Sequence, residues 1–290
     1  MRWSDALTLG RVSNLPTVWT NTLAGVVLAG GALDDARLLP LMLSLSLCYV
    51  AGMFLNDAFD REFDARHRPE RPIPAGRTTP NEVFGFGFGM LAAGIALLAW
   101  IGFGTPGGTG WRPVVSGGVL AATIVFYDLH HKNNPLSPMV MGLCRMLVYV
   151  TAAYAVVATP PREVFVMALL LLSYLVGLTY VAKQEHLGRI GNLWPLVFLA
   201  LPLAWGAGAA VEGRWPAALW VMLAAWLVYA LSFLKRRGPG DVPRAVGNLL
   251  AGICLWDALV MAVAGSVGGA SLALMFFALT LLLQRRIAPT

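Results

Sequence analysis

Ten stretches of the chain are apolar almost without interruption, each bounded by charge, Pro or Gly. They lie near 15–33, 38–57, 82–104, 112–128, 138–159, 164–182, 192–211, 216–234, 246–265 and 268–284. Each runs about 17–23 residues, enough for a helix rising 1.5 Å per residue to cross a bilayer. The stretches lack the alternation of barrel strands, and lipid admits only helices or closed barrels because unpaired backbone groups find no water there. The pattern predicts an all-α fold, a polytopic transmembrane helical bundle of ten spans forming a single domain over residues 1–290.

Composition agrees with that pattern. The chain is 58% hydrophobic and 12% charged, against roughly 25% charged in soluble domains. The N-terminal MRWSDALTLGRVSNLP lacks a long apolar core with a small-residue cleavage site, so no cleaved signal peptide is expected. Cys48, Cys144 and Cys254 all fall inside apolar stretches without metal-ligand spacing. They read as small buried hydrophobes rather than disulfide partners.

Charge placement adds an orientation. Ten spans put both termini on one side, where 16 of the 21 Lys and Arg then fall. Arg37, Arg112, Arg162 and Arg214 fall on the other side, and Arg145 lies inside a span. Basic loops stay inside, so the termini are expected in the cytoplasm and the chain in the cell membrane. Anionic lipid headgroups account for the net charge of +6 without a nucleic-acid partner.

The longest loop on the basic side, near 58–81, holds the candidate chemistry. Residues 56–77 read NDAFDREFDARHRPERPIPAGR. If the helix before the loop continues to residue 64, Asp57, Asp60 and Asp64 share one face at i, i+3 and i+7, with Asn56 beside them. Like charges at that spacing repel unless a cation joins them. Mg²⁺ takes carboxylates, water and phosphate oxygens, and Arg61, Arg66, Arg68, Arg71 and Arg77 are suited to the remaining phosphate charge. The plainer reading of the same residues is a solvated loop with internal Asp–Arg pairs.

This string resembles the first aspartate-rich motif of the UbiA superfamily of intramembrane prenyltransferases, N-D-x-x-D-x-x-x-D followed by a basic, proline-rich stretch ending in Pro-x-Gly. The resemblance implies helices around a central cavity open to the cytoplasmic side and to lipid. Family members usually have nine spans, so the resemblance implies nine to ten here: either one of the ten stretches is not a true span or this branch has an extra helix, the pair 246–265 and 268–284 being the place to look. It also implies a Mg²⁺ site at Asn56, Asp57, Asp60 and Asp64.

The family's second acidic motif, D-x-x-x-D, follows the sixth span. Here that place reads YVAKQEHLGRIGN from Tyr180 to Asn192, with Glu185 as its one acid and Lys183 and Arg189 as its basic neighbours. Glu185 stands in as a metal ligand, and His186 reads as a bystander. Residues 126–135, FYDLHHKNNP, resemble the family's Tyr-x-x-x-x-Lys stretch, which carries Tyr127 and Lys132 over as diphosphate-binding residues. Asp128, His130 and His131 are too compressed for a closed zinc set and read as a polar helix cap. The Tyr-Asp-x-x-His-Lys stretch and the departing second motif are also similar to the EboC-like branch of the superfamily.

Two charges lie within spans. Arg145 reads either as a cavity-lining residue meeting an anionic acceptor or as a partner to a buried acid or carbonyl; Asp257 reads as structural. Asn14 and Asn21 sit where family members place polar cavity residues.

The resemblance implies prenyl transfer from an isoprenyl diphosphate to an aromatic or lipid-like acceptor. Catalytic roles fall to Asp57, Asp60, Lys132 and Glu185. Substrate contacts fall to Asn56, Arg68, Arg71, Tyr127, Lys132, Arg145, Lys183 and Arg189. Tyr127, Tyr154, Tyr180 or Trp194 would shield an allylic cation. A UbiA-like lipid-binding protein without catalysis and a transporter are the rival readings; polar loops confined to one face argue against alternating access.

Overall fold

The computed structural model describes residues 1–132, 134–183, 196–236, 238 and 240–288. Every regular element among them is helical. The chain opens with α1 (Trp3–Leu9), a 3-10 turn at Val12–Asn14, α2 (Leu15–Leu28) and α3 (Leu38–Phe59). It continues with α4 (Arg61–His67), α5 (Pro80–Gly104), α6 (Arg112–His130), α7 (Ser137–Val156) and α8 (Arg162–Lys183). The last four are α9 (Val197–Ala209), α10 (Arg214–Arg236), α11 (Asp241–Val263) and α12 (Val267–Gln284).

Local sequence explains where several of these begin. Proline occupies the first turn of α2, α5, α6 and α7, where its missing N–H would lack an intrahelical partner anyway. Thr79 and Ser266 cap α5 and α12, their side chains accepting from the Glu82 and Gly269 N–H groups.

Among the described residues, eight helices are long and apolar enough to cross a membrane: α3, α5, α6, α7, α8, α10, α11 and α12. They divide into two layers. Inside the bundle lie α11, α8, α7 and α3, with 78%, 67%, 61% and 56% of their most apolar stretches buried. On the outside are α5, α6, α10 and α12 at 28% each, and they turn residues such as Phe103, Val119, Val228 and Met275 outward. Without a bilayer those faces would stand in water, so the chain is a multi-pass membrane protein.

Among the described residues each of the ten apolar stretches contains a helix, but α2 and α9 are short. The 14 residues of α2 reach about 21 Å, less than the roughly 30 Å hydrocarbon core. Thr17, Thr20, Asn21 and Thr22 of α2 are buried and bond inside the protein, so this helix need not face lipid. The 13 residues of α9 follow a segment, 184–195, that lies outside the described residues. The short members are therefore α2 and α9, whereas the C-terminal pair, α11 and α12, have 23 and 18 residues.

Close approach of α2 to α7 requires Gly25. A Cβ there would lie 2.6 Å from the Tyr149 carbonyl oxygen and 2.9 Å from the Ala152 Cβ, and small residues are what let helices touch in a bilayer.

Candidate active site

One face of α3 carries Leu45, Tyr49, Gly52, Asn56 and, at its end, Asp60, a spacing of three to four residues that lines up along a helix. Facing it, α6 presents Leu120, Ile124, Tyr127 and Asp128, followed by His131 and Lys132. These faces, with parts of α2, α7, α8 and α11, enclose a cavity of about 300 Å³. Its walls are apolar for most of their depth, with Leu45, Leu120, Val148, Leu175 and Leu250 among them. Its polar groups gather where α3 and α6 end and α7 begins: Arg11, Asn56, Asp60, Arg68, Asp128, His131, Lys132 and Lys183.

The helix through the aspartate motif does not run on unbroken as expected. It interrupts at Asp60 between α3 and α4, although the Asp60 and Asp64 N–H groups still bond to the carbonyls four residues back. The three carboxylates diverge. Asp60 lines the cavity, and its Oδ2 lies 3.2 Å from His131 Nε2 and 2.9 Å from Lys132 Nζ. Asp57 and Asp64 turn to Arg71, whose Nη1 donates to Asp57 Oδ1 at 3.0 Å and Asp64 Oδ2 at 2.8 Å. Asp57 Oδ1 also accepts from Arg11 Nη2 at 3.0 Å.

Electrostatics distinguish Asp60 from Asp64. Burial works to raise the Asp60 carboxyl, but hydrogen bonds from His131 and Lys132 outweigh it and hold the group below the ordinary carboxylate range. Asp64 moves the other way: burial raises it most, the Asp57 and Asp60 charges add to that, and Arg71 opposes.

The predicted site residues sort as follows. Asn56, Asp60, Arg68, Tyr127, Lys132, Arg145 and Lys183 line one cavity. Asp57, Asp64 and Arg71 form an ion-paired group beside it, so the four expected ligands do not share one wall. Arg61 donates to the Ala58 carbonyl, and Arg77 binds Asp5 and the Glu70 carbonyl. These two arginines anchor the loop instead of facing the cavity, and Arg66 is exposed. Glu185, His186, Arg189 and Trp194 lie outside the described residues. Lys183 Nζ donates to the Asn134 carbonyl at 2.7 Å and Ser137 Oγ at 2.9 Å, drawing the ends of α7 and α8 together.

Deeper in the wall, Arg145 both lines the cavity and bonds within the protein. Its guanidinium lines the cavity over the Tyr49 ring, 5.3 Å from the centroid. Its Nη1 donates to Asn21 Oδ1 at 3.0 Å, and Asn21 Nδ2 donates to Asp257 Oδ2 at 2.8 Å. The Tyr149 hydroxyl donates to Asp257 Oδ1. Asp257, fully buried, is thus the structural end of a polar chain crossing α7, α2 and α11.

Sequence reasoning missed the parts played by Arg11, Tyr49 and Asp128. Arg11 has left-handed backbone geometry, φ 41° and ψ 48°, which costs a non-glycine residue about 1–3 kcal/mol. That turn carries its side chain over Asp57. Tyr49 and Tyr127 supply the aromatic faces of the cavity, whereas Tyr154 and Tyr180 are not among its walls. Asp128 was legible as an acid within one turn of the end of an apolar span, itself a signal of function.

A divalent metal fits this wall. Among the described residues no three His, Cys, Asp or Glu gather into a closed cage. Mg²⁺ seldom uses one, taking one or two carboxylates and completing its shell with water and phosphate. Asn56, Asp60 and Asp128 offer such a partial set, and Asp128 Oδ2 is buried without a hydrogen-bond partner.

The fold and cavity define a class: a polytopic membrane protein whose apolar pocket is charged at one end. More particularly, the chain belongs to the UbiA prenyltransferase family, whose sequence profile matches residues 18–187. It is 29% identical over 266 residues to the digeranylgeranylglyceryl phosphate synthase of Methanopyrus kandleri, covering 90% of this chain and 89% of that one. It is 32% identical over 128 residues to the protoheme IX farnesyltransferase of Granulibacter bethesdensis, covering 43% of this chain and 37% of that one. A solved structure from work on digeranylgeranylglyceryl phosphate synthase in membranes shares the fold at TM-score 0.63 and 18% identity, over 90% of this chain and 98% of that one. A UbiA homolog from Aeropyrum pernix K1 does so at TM-score 0.51 and 17% identity, over 92% and 96%.

Proposed function

We propose that this chain transfers a prenyl group from an isoprenyl diphosphate to an aromatic or lipid-like acceptor inside the membrane. The observation that carries this reading is the cavity between α3 and α6, charged at one end and apolar along its depth, which suits a donor with a diphosphate head and a hydrocarbon tail. Membership of a prenyltransferase family supports it.

In this reading Lys132, Arg68, Arg11 and Lys183 receive the diphosphate oxygens at the cavity mouth. Asn56 and Asp60 would hold Mg²⁺, with Asp57, Asp64 and Glu185 as further acids of the site; when bound, the ion would supply charge stabilisation for the departing diphosphate. Tyr127 and Tyr49 turn aromatic faces to the allylic carbon as it becomes cationic. The apolar walls exclude water, which would otherwise capture that cation. Arg145 meets the acceptor at the deeper wall, and residues 1–290 act as one domain. The basic loops support a cytoplasmic mouth and N-terminus in the cell membrane.

A second reading, a lipid-binding protein without catalysis, draws on Asp57 and Asp64 being held by Arg71. The test is incubation of the detergent-purified protein with a panel of prenyl diphosphates and candidate aromatic or lipid acceptors, with and without Mg²⁺. Diphosphate release and a prenylated product that both require Mg²⁺ and Asp60 support transfer. Donor binding without release under every condition rejects it in favour of the second reading.

A further inference from the structure

The cavity wall holds a carboxylate that belongs to neither aspartate motif. Asp128 lies near the end of α6 and is 4% exposed. Its Oδ1 accepts one hydrogen bond, from Asn56 Nδ2 at 3.2 Å. Its Oδ2 is buried with no hydrogen-bond partner among the described residues. An amide is neutral, and the cation that acts on this carboxylate, Arg11, donates its hydrogen bond to Asp57 instead; a buried charge so weakly met is unfavourable. The cationic groups that follow on the same strand of chain, His131 and Lys132, are spent on Asp60. Asp60, on the same cavity, adds a like charge.

A carboxylate that is buried and half-satisfied, on the wall of a cavity it shares with Asp60 and Asn56, is a site short of one hard cation. The sequence is also short of an acid elsewhere. Between Lys183 and Leu196 it has Glu185 alone, where two aspartates would be expected. We propose that Asp128 is a ligand for the divalent cation, so that the second carboxylate for metal and diphosphate comes from α6 instead of from the loop after α8. This rests on the prenyltransferase reading above and assigns Asp128 a role within that site.

Mn²⁺ in place of Mg²⁺ makes this measurable without turnover. Titration of detergent-purified protein with Mn²⁺ alone, followed by electron paramagnetic resonance, gives the affinity of each variant. Asp128→Asn is expected to weaken Mn²⁺ binding by about tenfold or more, as is Asp60→Asn. In EDTA, Asp128→Asn is expected to melt at or above the wild-type temperature, because the substitution removes a weakly met charge. The stabilisation that Mn²⁺ gives the wild type should largely disappear in the variant. A purely structural Asp128 predicts the opposite, a lower melting temperature in EDTA with Mn²⁺ binding unchanged. That result overturns the proposal, as does an Asp128→Asn protein that fails to fold. If Asp60→Asn loses Mn²⁺ and Asp128→Asn keeps it, this inference alone falls. If the wild type binds no Mn²⁺, the functional reading falls with it.

Discussion

Asp60 is the aspartate of the first motif that lines the cavity, and the proposed function gives it the metal. Asp60→Asn is expected to lower Mg²⁺-dependent diphosphate release by about 10–100-fold, measured at saturating donor. Its titration gives an independent check. The folded carboxyl lies below its ordinary value, near 3.9 in a free chain, so the unfolded state holds the proton more tightly. The stability contributed by the contacts with His131 and Lys132 is therefore complete above about pH 4 and is lost as pH falls through the folded value. Melting temperatures followed from pH 6 to pH 3 should drop less steeply in Asp60→Asn than in the wild type. Identical acid limbs would contradict the assignment. Residues of this kind were legible because a local string, Asn56 to Asp60, carries them. Arg11 was not: 46 residues separate it from Asp57, and only the packed fold and a left-handed backbone bring the two together.

At the level of helices, the apolar runs marked every long element, because lipid imposes one rule along the whole of a span. What they could not show was the break at Asp60. Periodicity projects three aspartates onto one face of a continuous helix, whereas in the structure Arg71 holds Asp57 and Asp64 while Asp60 lines the cavity. Nor did the runs reveal that α2 sits inside the bundle, since an interior helix can keep Thr20 and Asn21 as long as partners on other helices receive them. The contact of α2 with α7 tolerates no side chain at Gly25. Gly25→Leu is expected to destabilise the protein by about 1–3 kcal/mol, seen as a lower melting temperature in detergent. An unchanged melting temperature would mean that the two helices part freely.

For the molecule as a whole, the charge count along the loops and the polar mouth of the cavity point to the same side of the bilayer. That agreement is testable in intact cells with a membrane-impermeant maleimide. Asp34→Cys, at an exposed position between α2 and α3, should label from outside, and Ala75→Cys, exposed in the basic loop, should label only after permeabilisation. Reversal of the two would place the site on the outer face. The architecture was legible because the two solvents of a membrane protein write strong patterns. The content of the cavity was less so, since its walls come from six helices and its depth from side chains that read as ordinary interior.

The polar chain from Arg145 through Asn21 to Asp257 also bears on biogenesis. An arginine at hydrocarbon depth carries an insertion penalty of about 2.5–3.5 kcal/mol on translocon scales. Asn21 is already synthesised when α7 emerges, but Tyr149 and Asp257 are 108 residues apart, roughly 5–20 s of translation. During that interval the nascent bundle holds its guanidinium with an amide and no counter-ion. A ribosome halted before α11 should therefore release a product that membrane proteases clear faster than the finished chain, a difference that pulse-chase half-lives would register.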